Sequence, residues 1–189
     1  MIDYSDPNLP RNHRRYSSSS PSEEDTRSPA QKDRDRIIYT SAFRRLAEVT
    51  QVASPTDAHV FHNRLTHSLQ VAQVGRSLAQ RLRKDPVSCE QVGGIDPDTV
   101  EAACLAHDLG HPPFGHTAEE KLNELIGERA GGFEGNAQSF RIVAKLAFKS
   151  TKHEGLDLTA GTLAAILKYP WLKRENPEKP NKWEPTNRK

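Results

Sequence analysis

Between residues 36 and 167 the apolar residues recur at helical spacing, and nowhere do they alternate as a half-buried strand would. That pattern restricts the chain to an all-α fold. Ile38, Ala42, Leu46 and Val49 fall on one face of a first expected helix over 36–49. Leu65, Leu69, Ala72, Ala79 and Leu82 do the same over 65–82. A third helix is expected from Pro97 to about Leu109, because Asp96 can cap the free amides and proline is tolerated in a first turn. It places Val100, Ala103, Cys104 and His107 on one side. Thr117-Ala118-Glu119-Glu120 has the form of a capping box ahead of Leu122, Leu125 and Ile126. Two further amphipathic segments, 137–148 and 159–167, complete a bundle of about five or six helices, each stabilised by packing its apolar face.

The bundle is expected to occupy residues 31–170. Residues 1–30 hold Pro7, Pro10, Pro21, Pro29 and the run Ser17 to Ser20, with few large apolar side chains. Such a segment buries too little surface to offset its ordering entropy and reads as a disordered tail. Past Pro170 the chain turns polar through Pro177, Pro180 and Pro185, so packed structure is expected to end there and 171–189 to form a polar segment. Lys and Arg number 27 against 25 Asp and Glu, and a net charge of +2 argues for neither a nucleic-acid nor a membrane partner. Cys89 and Cys104 form no CxxC pair, which disfavours a zinc ribbon or a disulfide framework. No apolar stretch approaches the ~18 residues of a membrane span, and no signal-peptide core is present, so a cytoplasmic location is expected.

The chemistry concentrates in His107-Asp108-Leu109-Gly110-His111-Pro112-Pro113-Phe114-Gly115-His116. The adjacent His107 and Asp108 offer an imidazole nitrogen and a carboxylate oxygen to one metal ion, a donor set that suits Mn, Fe, Zn or Mg. A catalytic metal keeps positions for water and substrate, so three protein ligands or one more form a reasonable set. His111 and His116 flank a proline-stiffened loop, where an imidazole can give a proton to a leaving oxygen or bind phosphate. Taken singly, either is equally well a surface loop histidine; taken with His107 and Asp108 they indicate a site. Glu119, early in the next helix, can orient His116 or simply favour the helix N-terminus. His67, on an early turn of the 65–82 helix, reads by itself as a satisfied buried histidine. Arg64, one turn before it, can grip phosphate bidentately, or lie exposed. Gln51 is a lone amide in an apolar setting, able to bond a sugar hydroxyl. The glycine-rich run 131–136 lacks the GK[ST] ending of a P-loop and reads as a connection.

Several stretches together resemble the HD-domain deoxyguanosine triphosphate triphosphohydrolases and their bacterial dGTPase-like relatives. They are Arg34-Asp35-Arg36-Ile37-Ile38 with Ser41-Ala42-Phe43-Arg44-Arg45-Leu46, Thr50-Gln51-Val52, Asn63-Arg64-Leu65-Thr66-His67-Ser68-Leu69, residues 107–116, and Phe133-Glu134-Gly135-Asn136-Ala137-Gln138. The resemblance covers about residues 33–173. It implies an all-α HD-domain bundle and hydrolysis of a deoxynucleoside triphosphate to deoxynucleoside and intact triphosphate with a divalent Mn, Mg or Fe ion. It further implies His67, His107 and Asp108 as metal ligands and His111 as a phosphate contact. His116 and Glu119 would be the acid/base pair, with Arg64 on phosphate and Gln51 on the sugar 3′-hydroxyl. A homo-oligomeric full-length form and regulation by nucleotide or single-stranded DNA belong to the same implication.

The family completes its metal site with an Asp much further along the chain. The only Asp after Asp108 is Asp157, too early to match, and the sequence ends at Lys189. The chain is therefore expected to be a C-terminally truncated form with impaired activity or none. Two other readings stay open: a different HD-family nucleotide phosphohydrolase, and a non-catalytic nucleotide-binding HD domain.

Overall fold

The computed structural model describes residues 3, 4, 6, 8–16, 25–49, 63–127 and 131–168. Gln51 and the segment 171–189 lie outside the described residues. Eight α-helices are present among them: α1 Pro29–Ile38, α2 Ser41–Arg45, α3 Arg64–Leu82, α4 Pro86–Gln91, α5 Pro97–Ala106, α6 Gly115–Ile126, α7 Gly135–Arg141 and α8 Ala160–Ile166. The described residues contain no β-strand, and no helix long and apolar enough to cross a membrane.

The centre is α5, which packs against α1, α3 and α8. It is apolar on more than one side, as a helix surrounded by others must be. Ala102, Leu105 and Ala106 are at most 1% exposed and join Ile37, Phe43, Leu46, Val143, Leu156 and Leu158 in the core. The side that the spacing assigns to Val100, Ala103, Cys104 and His107 is only partly covered. Val100 and Cys104 meet α3 at Gly75, where a Cβ would stand 2.6 Å from the Cys104 Sγ.

The start signal at Asp96-Pro97 operates as expected, with the Asp96 carboxylate accepting from the Asp98 amide at 3.1 Å. The expected single helix over 36–49 is instead two helices, because Thr40 interrupts it. The Thr40 hydroxyl donates to the Ile37 carbonyl and accepts from the Phe43 amide, offering the backbone an alternative to helix continuation. The first helix begins earlier, at Pro29, behind a reciprocal capping box of Ser28 and Gln31. The capping box expected at Thr117 does not form. The helix starts two residues before it, at Gly115, after Phe114 in a left-handed conformation (φ 66°).

Part of the segment expected to lie outside the core is packed against it. Asn12 is 4% exposed, and Arg14 makes a 2.6 Å ion pair with Asp33 at side-chain exposures of 3% and 0%. The other Asp33 oxygen accepts from the amide and hydroxyl of Thr159, the N-cap of α8. One carboxylate therefore ties the N-terminal segment, α1 and α8 together, and its charge is matched by the donors a buried anion requires.

Candidate functional site

The α5 helix ends at Ala106, and residues 107–110 turn away from it. His107 sits at the C-cap with its ring Nδ1 donating to the Cys104 carbonyl at 2.6 Å. That bond fixes the tautomer and leaves Nε2 as the donor atom for a metal, the usual role of such a partner. Asn63 caps α3 by accepting from the Thr66 amide at 2.9 Å, which sets the first turn carrying Arg64 and His67. The ends of α3 and α5 meet here, with the His67 and His107 rings edge to face at 5.3 Å.

Ligand atoms of His67, His107 and Asp108 lie within 4.8 Å of one another. Ligands about 2.1 Å from one ion stand at most about 4.2 Å apart, so three atoms within 4.8 Å of one another can close on one ion by side-chain adjustment. Two imidazoles and a carboxylate match the donor preference of Mn, Fe, Zn or Mg, and the residues present fit a divalent ion.

Asp108 has different surroundings at its two oxygens. Arg64 holds Oδ2 at 3.0 Å and also donates to the Pro112 carbonyl at 3.2 Å. Oδ1 faces His107 Nε2 at 3.5 Å and His111 Nδ1 at 3.4 Å. Arg64 is thus buried, 5% exposed, rather than the solvated arginine that its position in a helical turn also allowed. Its fork holds the Asp108 carboxylate, while its Nε, like His111 Nδ1, is buried without a hydrogen bond. Burial pushes the His111 pKa down, and the nearby Asp108 and Glu119 oppose that shift.

A second pair lies beyond His111. His116 Nδ1 stands 2.8 Å from Glu119 Oε2, and Glu119 Oε1 accepts from the Gly135 amide at 2.9 Å. Burial raises the Glu119 carboxyl, but the Gly135 amide and His116 outweigh it and hold the pKa below its ordinary value. Gly135 abuts His111, with a Cβ there standing 2.7 Å from the ring. A continuous path of contacts therefore runs from Asp108 through His111, Gly135 and Glu119 to His116. His116 is open to solvent at 77% side-chain exposure.

Sequence reasoning missed the backing of the site. Gly110 has no room for a side chain, since its Cβ would fall into the α7 backbone, 2.6 Å from the Gly135 carbonyl oxygen. Ser139 on α7, 1% exposed, accepts from the Gly110 amide and donates toward the His107 carbonyl. The glycine-rich run before α7 was the available signal, and its close approach to His111 needs the fold to be seen. Asp157 is not part of the cluster. It accepts from the Tyr16 amide at 3.0 Å, pairs with Arg36 at 3.7 Å, and its carbonyl takes both Arg14 and Arg36.

The HD-domain family matches residues 64–182. A deoxyguanosinetriphosphate triphosphohydrolase-like protein of Streptomyces coelicolor is 48% identical over 162 residues, 82% of this chain and 35% of the relative. Its counterpart in Corynebacterium glutamicum is 43% identical over 180 residues, covering 92% and 40% of the two chains. That of Caulobacter vibrioides is 49% identical over 144 residues, covering 76% and 34%. The chain thus spans between 34% and 40% of the length of these curated relatives.

Proposed function

The chain belongs to the HD-domain family, and from that premise we propose that it carries the metal-binding part of a phosphohydrolase acting on deoxynucleoside triphosphates, dGTP foremost. One observation carries the reading: His67, His107 and Asp108 converge within 4.8 Å, backed by contacts that lead to a His116–Glu119 pair. The names of the relatives support the substrate class. His67, His107 and Asp108 hold a divalent Mn, Mg or Fe ion. An ion held there would supply Lewis-acid chemistry to a phosphoryl oxygen and to water.

The protein's own groups do the rest. Arg64 orients Asp108 so that Oδ1 faces the histidines, and its guanidinium supplies positive charge beside the phosphate. His111 lines the path between the cluster and Glu119 and contacts phosphate. Glu119 stays ionised at neutral pH and accepts from His116 Nδ1–H; in its imidazolium form His116 carries a second proton on Nε2 and gives that one to the departing nucleoside 5′-oxygen. Water attacks the α phosphorus in line, the bond to the nucleoside oxygen breaks, and triphosphate leaves intact. Gln51 would read the sugar hydroxyl. An oligomeric full-length form in the cytoplasm, regulated by single-stranded DNA, belongs to the same reading.

The test is product analysis after incubation of the whole chain with dGTP and Mn, beside a His107→Ala variant. Deoxyguanosine with intact triphosphate, absent from the variant, supports the reading. Release of dGMP and pyrophosphate contradicts it and favours another HD-family phosphohydrolase. Tight dGTP binding without turnover contradicts catalysis by this chain and favours a nucleotide-binding HD domain.

A further inference from the structure

The turn that presents His107 and Asp108 is held by a residue outside it. Ser139 Oγ lies 2.9 Å from the Gly110 amide nitrogen, from which it accepts, and 3.0 Å from the His107 carbonyl, to which it donates. Its single proton is shared with the Gly135 carbonyl one turn earlier on its own helix, also at 3.0 Å. One hydroxyl thus spans both ends of residues 107–110. Gly110 allows the contact, because any side chain there would collide with the α7 backbone. The same helix carries Gly135, which abuts His111 and donates to Glu119.

We propose that Ser139 is a positioning residue for the metal cluster, fixing through the 107–110 turn the directions in which His107 and Asp108 leave it. A turn pinned at both ends keeps its two ligands on one point; a free turn lets them diverge, and the entropy of re-forming the set is then paid at binding. The inference rests on the metal-site reading above and names a residue whose only route to the ion is through its neighbours' backbone. Buried groups of this kind commonly set ligand orientation.

The experiment is a Mn(II) titration followed by electron paramagnetic resonance on the whole chain, with Co(II) absorption as a second readout. Ser139→Ala removes the hydroxyl, and Ser139→Cys keeps a small side chain, slightly larger than serine, whose S–H weakens both bonds. Val143→Ala is the control for general destabilisation. Val143 is fully buried one turn on, and its carbonyl bonds the Leu156 amide instead. Both Ser139 variants are expected to bind Mn(II) about tenfold or more weakly, with an altered Co(II) ligand-field band. Val143→Ala is expected to melt earlier but bind Mn(II) as the wild type does. Wild-type affinity in a folded Ser139 variant overturns the proposal, as does an equal loss in Val143→Ala. If neither Ser139 variant folds, the residue is a fold determinant and the positioning role is overturned. Absence of Mn(II) binding by the wild type instead overturns the metal reading itself, and this inference with it.

Discussion

At the scale of single residues, the site works by dividing the tasks of one carboxylate. Asp108 gives Oδ2 to Arg64 and turns Oδ1 toward two histidines. Glu119 is divided in the same way, between the Gly135 amide and His116. Its pKa lies below the ordinary 4.5 in the folded chain, so its contribution to stability is fully present above that pH. That contribution is lost as pH falls from about 4.5 through the lower folded value. Glu119→Gln should therefore flatten the acid limb of a stability-against-pH curve below pH 4.5, measured by urea unfolding at each pH. An unchanged limb contradicts the assignment. Phe114, 79% exposed, holds a left-handed backbone at the lip of the same site. Bulky residues there are strained, and such strain gathers where a loop is fixed for a purpose.

At the scale of elements, α7 and the start of α8 organise what the sequence pattern could not. The chemistry was legible at His107-Asp108 because two metal donors side by side on a Gly- and Pro-rich run have no packing rationale. His67 was not legible alone, since a histidine on an apolar face looks the same whether or not another helix end meets it. Helix starts with local signals, Asp96-Pro97 and Asn63, lie where the chemistry of capping puts them. The break at Thr40 is also local, made by its hydroxyl's bonds to Ile37 and Phe43, but apolar periodicity does not show it. Helix α4 begins at Pro86 and has no buried residue, so apolar periodicity never marked it. The joint between α1, α8 and the N-terminal segment was also hidden, because a buried ion pair 19 residues apart leaves no periodic trace. Asp33→Ala should cost about 3–5 kcal/mol in chemical unfolding, since it strands the Arg14 guanidinium in a dry setting. A loss under about 1 kcal/mol would show that water reaches the pair.

At the scale of the molecule, the His67–His107–Asp108 cluster sits where α3 begins and α5 ends, and their packing fixes its geometry. The N-terminal segment is tied to α1 and to the chain leading into α8 through Asp33 and Asp157. The bundle is thus arranged so that its central helix delivers His107 and Asp108 to a common point with His67. The family match over residues 64–182 contains all three. The most direct measurement is Mn(II) binding by calorimetry on the wild-type chain and on His67→Ala, His107→Ala and Asp108→Ala. One ion per chain in the wild type, with affinity reduced at least about tenfold in each variant, is the predicted result. Binding that survives all three substitutions, or no binding in the wild type, would contradict a metal centre at this point of the fold.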